Sequence, residues 1–140
     1  MIKRDFYLNR LIHNMWNGEI KVITGIRRCG KSVLLFDLFY EYLLQQKKVK
    51  EEIIKIELDQ CRNYKYRNPI NLCEFIESTV LENRDKQYYL FIDEVQFTQK
   101  VIDIENGNIE VTIYDMLNEL KAYKNLDVYV IESNSHALSK

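Results

Sequence analysis

Residues 24–35 read TGIRRCGKSVLL, and the fold turns on how this stretch is read. The chain spends only four glycines in 140 residues, Gly18, Gly25, Gly30 and Gly107, and two of them fall here. Ahead of the stretch stands IKVIT, residues 20–24, a short β-branched run with strand character. Behind it, Lys31 to Gln46 carries apolar residues on nearly every face, including Val33, Leu34, Leu35, Phe36, Leu38 and Phe39. That distribution predicts a helix buried on several sides. The order is therefore strand, G-x-x-x-x-G-K-S, helix.

A phosphate chain needs several backbone N–H donors converging on it, and side chains would block their approach. Gly25 and Gly30 let the backbone curl so that its amides point inward. The positive end of the following helix adds to the attraction. The motif makes residues 25–33 (Gly25, Ile26, Arg27, Arg28, Cys29, Gly30, Lys31, Ser32 and Val33) candidate binders of ATP. Lys31 would reach the β- and γ-phosphates, and Ser32 would ligate Mg²⁺. Cys29 makes oxidation sensitivity conceivable, but such loop positions tolerate many side chains. Arg27 and Arg28 either support phosphate or a partner chain, or face water.

A second signal is YYLFIDEVQ, residues 88–96. Five apolar residues ending abruptly in two carboxylates suit a central parallel strand. Asp93 fits the acidic residue that holds the Mg²⁺ hydration shell, and Glu94 fits a base for the attacking water. A small-molecule kinase does not need that glutamate, whereas an ATPase does.

The remaining elements alternate. Leu8, Leu11, Ile12, Met15 and Trp16 predict a helix over 5–16, capped by Asp5 and ended by Gly18. EIIKIELD, 52–59, reads as a strand with one wet face at a sheet edge. Asn68-Pro69 starts a helix with an inner stripe of Leu72, Phe75, Ile76, Thr79 and Val80. Asn106-Gly107 signals a tight hairpin. Thr112 and Asp115 open a capping-box helix carrying Ile113, Met116, Leu117 and Leu120 inward, and DVYVI, 127–131, is the last strand. The pattern predicts one α/β domain over residues 1–140, three-layered, with a mainly parallel sheet.

Twenty basic and 21 acidic residues give a net charge of -1, so no global pull toward nucleic acid or an anionic membrane follows. RNYKYR, 62–67, interleaves aromatic and basic groups as a single-strand binder would, but reads better as a polar connector. His13 and His136 have no partner by spacing. Cys29, Cys61 and Cys73 are odd in number and lack metal-ligand spacing, which predicts reduced thiols and a cytoplasmic protein. The start MIKRDFYLNR lacks the apolar core of a signal peptide, and no membrane span is expected.

VITGIRRCGKSVLL, LFIDEVQ, IYDMLNELK and DVYVIESNSHALS together resemble the prokaryotic AAA-type P-loop ATPase family, whose members carry an ATPase domain ahead of a nuclease-like C-terminal domain. The resemblance covers essentially the whole chain and makes the two acidic and glycine motifs a Walker A and Walker B pair. It implies ATP hydrolysis and the sheet order 5-1-4-3-2. It also implies a polar sensor of the γ-phosphate at Asn134 or Ser133, where an ordinary Asn-Ser turn is the alternative. By analogy, Tyr7 and Leu8 would lie near the adenine ring. This sequence departs from the pattern first in carrying Ile131-Glu132 where the family typically has Thr-Gly. Glu132 is accordingly expected to bring negative charge toward the phosphates and the Asp93–Glu94 pair. The fifth strand, the helical lid and the C-terminal domain lie beyond these residues, so the chain reads as the front of a longer protein. With no fifth strand, strand 1 is expected to be an edge that self-associates. The alternatives to an ATPase are a non-hydrolysing, nucleotide-responsive binding module or a small-molecule kinase.

Overall fold

The computed structural model describes residues 2–25, 37–46 and 52–133. In chain order the elements are α1 (Ile2–His13), β1 (Lys21–Gly25), α2 (Tyr40–Gln45), β2 (Ile53–Glu57), α3 (Pro69–Glu82), β3 (Tyr88–Asp93), β4 (Val101–Asp103), β5 (Ile109–Val111), α4 (Ile113–Leu120) and β6 (Leu126–Ser133). Four of them form a fully parallel sheet in the order β1-β6-β3-β2, and β4 and β5 make a separate antiparallel pair. This is the 1-4-3-2 portion of the expected order, with β2 at one edge.

Alternation along the strands builds a core on each face of the sheet. Leu90, Ile92, Val128 and Val130 point to one side, where they meet Leu72 and Ile76 of α3 and Leu117 and Leu120 of α4. Tyr89, Phe91, Tyr129 and Ile131 point to the other, against Leu11 of α1, Phe39 just before α2 and Leu43 within it. The Phe39 ring stands between Phe91 and Tyr129, at centroid distances of 5.7 and 5.0 Å. All six residues of β3 are buried, as expected of a central strand covered on both faces.

Local chemistry accounts for the helix starts. The Asn68 side chain accepts from the Ile70 and Asn71 amides, with Pro69 in the first turn where its missing N–H costs nothing. Thr112 and Asp115 form the reciprocal capping box, Asp115 N–H to Thr112 Oγ1 at 3.4 Å and Thr112 N–H to Asp115 Oδ2 at 2.9 Å.

Four expectations need correction. First, α1 runs over Ile2–His13 rather than 5–16, so Asp5 lies inside it and is not its cap. It ends early because the Asn14 side chain bonds back to Arg10 O at 2.8 Å, and Trp16 takes a left-handed conformation (φ 57°) to dock elsewhere. Second, Phe75 is 37% exposed and Thr79 only half-buried, while Cys73 joins the α3 core stripe instead. Phe75 covers Tyr66 at 5.1 Å on the outside of the helix. Third, the hairpin is not tight: Asp103 pairs with Ile109, leaving residues 104–108 as a loop. Asp103 accepts from the Asn106 amide and side chain, and Gly107 and Asn108 both take positive φ. Fourth, β6 extends through Ser133, so Glu132 and Ser133 are strand residues paired with Thr24 and Gly25. The helix expected over 31–46 lies largely outside the described residues; its described end is a π-type turn at 37–39 followed by α2.

RNYKYR is a connector, as its polarity suggested. Cys61–Arg67 forms a 3₁₀ helix in which Arg67 Nε donates to Leu58 O at 2.9 Å and Asn63 Nδ2 to Glu57 O at 2.9 Å. Arg67 and Asn63 thus hold the exit of β2.

Candidate functional site

The parallel register brings Gly25, Ser133 and Asp93 to one end of the sheet, with Gly25 opposite Ser133 and Glu57 opposite Asp93. In open α/β sheets ligands bind outside the carboxyl ends of the strands. Asp93 is 5% exposed and closes β3, its carbonyl accepting from the Leu58 amide at 3.1 Å. By alternation it faces the same side as Tyr89 and Phe91, the side covered by α2. A buried carboxylate thus lies at the strand end on the face that α2 covers.

Glu94 turns the chain off the sheet. It adopts a left-handed conformation (φ 59°, ψ 51°) and leads into a 3₁₀ turn over Val95–Phe97, closed by Phe97 N–H to Glu94 O at 3.0 Å. A non-glycine residue there costs of order 1–3 kcal/mol, which the surrounding contacts must offset. Glu94 is 6% exposed. Ser133 Oγ donates to its Oε1 at 2.5 Å, and Gln96 Nε2 donates to its Oε2 at 3.3 Å. Gln96 Oε1 in turn accepts from Ser133 N–H at 3.2 Å, completing a ring of three side chains between β3 and β6. Ser133 was one of two sensor candidates. Gln96 was missed; its only signal was its place two residues after the paired carboxylates.

Glu132 does not crowd this site, contrary to expectation. Strand alternation turns it to the α4 face, opposite to Ser133. There Tyr114 of α4 donates its hydroxyl to Glu132 Oε1 at 2.7 Å. Burial pushes the Tyr114 hydroxyl pKa up, and the Glu132 hydrogen bond and charge push it further. Ile26, Arg27, Arg28, Cys29, Gly30, Lys31, Ser32, Val33 and Asn134 lie outside the described residues, as do Ser135 and His136.

The chemistry of the donor set suits a divalent cation shared with a phosphate ligand. Among the described residues no three His, Cys, Asp or Glu side chains cluster to hold a metal by themselves. Mg²⁺ is ordinarily held by one or two carboxylates plus substrate phosphates and waters, and a lone strand-end Asp93 fits that arrangement.

A different polar cluster occupies the amino ends of the strands. Lys21 of β1 is ion-paired with buried Asp127 of β6. Asp127 Oδ2 also accepts from the Trp16 amide at 2.9 Å and the Tyr129 hydroxyl at 2.6 Å. Trp16 Nε1 donates to the Tyr89 hydroxyl at 3.1 Å. Burial raises the Tyr129 pKa, with the Asp127 charge adding to it. This network explains the left-handed Trp16, and its sequence signal was a lone aspartate opening an apolar strand. A cavity of about 350 Å³ lies beside it, lined by Trp16, Lys121 and Asp127 among others. A second, of about 270 Å³, runs between α1 and β1 along Arg10, Asn14 and Val22. Neither touches Asp93 or Glu94, so neither belongs to the strand-end site.

The wider comparisons agree with this architecture. Residues 17–140 match the AAA domain family. An uncharacterized protein of Haemophilus influenzae is 32% identical over 142 residues, covering 99% of this chain and 31% of its own length. The chain thus spans about a third of that relative. A solved structure of C. elegans PCH-2 superposes with a TM-score of 0.57 at 14% identity, over 96% of this chain and 36% of that one, which is a likeness of fold. With a parallel β1-β6-β3-β2 sheet and a match over most of its length, the chain belongs to the AAA domain family of P-loop nucleotide-binding ATPase domains.

Proposed function

We propose that this domain binds ATP with Mg²⁺ and hydrolyses it. The observation that carries the reading is the buried Asp93–Glu94 pair at the end of β3, with Glu94 fixed in a left-handed turn and held by a side chain of β6. In this reading Gly25, Gly30, Lys31 and the loop amides from Ile26 to Val33 hold the phosphates. Ser32 and Asp93 ligate Mg²⁺, which would neutralise charge on the phosphate oxygens. Glu94 accepts a proton from water as the water oxygen bonds to the γ-phosphorus. The bond from that phosphorus to the β–γ bridging oxygen breaks, and ADP leaves with its electron pair. Asn134 is the polar group that contacts the γ-phosphate beyond β6.

Isothermal titration with ATP, with and without Mg²⁺, is the direct test, and absence of binding at millimolar ATP would overturn the reading. Steady-state hydrolysis by the chain and by Glu94→Gln separates an ATPase from a nucleotide-responsive module. Equal rates would favour the module. Release of phosphate to water rather than to a metabolite excludes a kinase.

Self-association through β1 belongs to the same reading. Among the described residues β1 has one sheet neighbour, and Val22 is 46% exposed. The free thiols Cys61 and Cys73 suit a cytoplasmic setting. Among the described residues no helix is long and apolar enough to cross a membrane. A salt-dependent DNA shift assay should show little binding, given the near-neutral charge.

A further inference from the structure

We infer that Gln96 is a positioning residue that ties the Glu94 carboxylate to the tip of β6, an assignment that rests on Glu94 acting as the base in ATP hydrolysis. A carboxylate held at one oxygen can still swing about its last side-chain bond. Here both oxygens are held, Oε1 by the Ser133 hydroxyl and Oε2 by the Gln96 amide. The two contacts do not act separately, because Gln96 is itself anchored on the Ser133 backbone N–H. Both oxygens of Glu94 are therefore referred to a single residue, 39 positions away in sequence and on a neighbouring strand.

The chemistry explains why glutamine stands there. The position needs an acceptor for a backbone N–H and a donor to a carboxylate, at the end of a side chain long enough to span them. An ionised glutamate accepts but cannot donate, and would set two carboxylates against each other. Methionine matches the length and offers neither bond. The left-handed turn at Glu94 makes the geometry possible, since it reverses the chain and brings the residue two positions on back beside the carboxylate. A carboxylate oxygen carries two lone pairs, so one hydrogen bond to it does not by itself exclude a water. A displacement of Ser133 would move Glu94 directly through its hydroxyl and again through Gln96. The tip of β6 and the base thus shift as a unit.

The test uses the full chain and the variants Gln96→Met, Gln96→Glu and Ser133→Ala. In the nucleotide-free protein, amide hydrogen exchange at Ser133 should accelerate about tenfold or more in Gln96→Met, with the melting temperature little changed. With ATP and Mg²⁺, kcat should fall about tenfold in Gln96→Met and further in Gln96→Glu, while KM stays within about twofold. Ser133→Ala combined with Gln96→Met should lose less than the product of the single losses, since both act on one group. Unchanged exchange at Ser133 would show that the bond does not hold in solution and would overturn the inference. Faster exchange with full kcat would also overturn it, leaving Gln96 a structural contact. If the parent chain binds ATP without turnover, the hydrolysis reading fails and the positioning role fails with it. If the parent hydrolyses ATP and the variants match it, this inference alone fails.

Discussion

Glu94 holds a backbone conformation that few non-glycine residues adopt, yet an unstrained glycine would carry no carboxylate there. Glu94→Gln keeps the shape and the turn while removing the base. Hydrolysis is expected to fall by about 10²–10⁴-fold with ATP binding retained, measured by phosphate release beside titration. Asp127 is different in kind, since its partners are all structural: Lys21, the Trp16 amide and the Tyr129 hydroxyl. Asp127→Ala removes the charge partner of Lys21, whose ammonium keeps Asn17 Oδ1 and Glu19 O. It also leaves the Tyr129 hydroxyl and Trp16 amide without their acceptor, and should cost about 3 kcal/mol in urea unfolding. Replacing Lys21 by Met and Asp127 by Leu together should cost less than either single change. Burial pushes the Cys73 thiol up to about 12 from an ordinary 9.0, with Glu77 adding to the rise. A thiol more easily deprotonated when unfolded makes stability fall as pH rises from about 9 toward about 12. Tyr89 and Tyr129 shift in the same direction, so Cys73→Ala should lessen the alkaline loss without abolishing it. A slope unchanged by Cys73→Ala would count against this.

At the scale of elements, what the sequence disclosed depended on whether a cause was local. The Asn68-Pro69 start of α3 and the Thr112–Asp115 box of α4 arise from side chains within four residues of the backbone they cap, and both were readable. The all-buried β3 was readable because a continuous apolar run has few other homes. The end of α1 was not, because Trp16 leaves the helix for an acceptor 111 residues away. Phe75 was misplaced on the inner stripe because helical periodicity could not foresee Tyr66 arriving on its outer side. Glu132 was misjudged by one strand residue, and one residue in a strand reverses the face. The Asp93–Glu94 pair was legible as a motif, but the ring through Gln96 depends on a strand crossover and was not. β1 carries the prediction for this scale. Among the described residues it has one sheet neighbour, and with Val22 exposed and Lys21 drawn to Asp127 those residues set no free charge along it. Light scattering should show self-association, and Val22→Lys should reduce it. A monodisperse parent chain would count against a pairing-competent edge.

Across the whole molecule the sheet separates two jobs. Its carboxyl ends gather Gly25, Asp93, Glu94 and Ser133, while its amino ends carry the Lys21–Asp127 network. Asp127→Ala is therefore expected to lower the melting temperature by about 10 °C, yet leave KM for ATP within about twofold below the transition. A large change in KM would show that the two ends communicate. The position of β6 has a further consequence, in the order of events as the chain is made. It is a central strand, lying between β1 and β3, yet among the described residues it is the last strand in sequence. Until residues 126–133 have left the ribosome, β1 lacks its partner among the described strands and one side of β3 stays open. Lys21 must wait for a carboxylate 106 residues downstream. Such non-local closure is slow, and it leaves apolar strand edges uncovered in the interval. The nascent chain should thus depend on a holding chaperone up to the synthesis of β6, and ribosome-bound chains stalled before residue 126 should stay protease-sensitive where those stalled well beyond residue 133 become resistant.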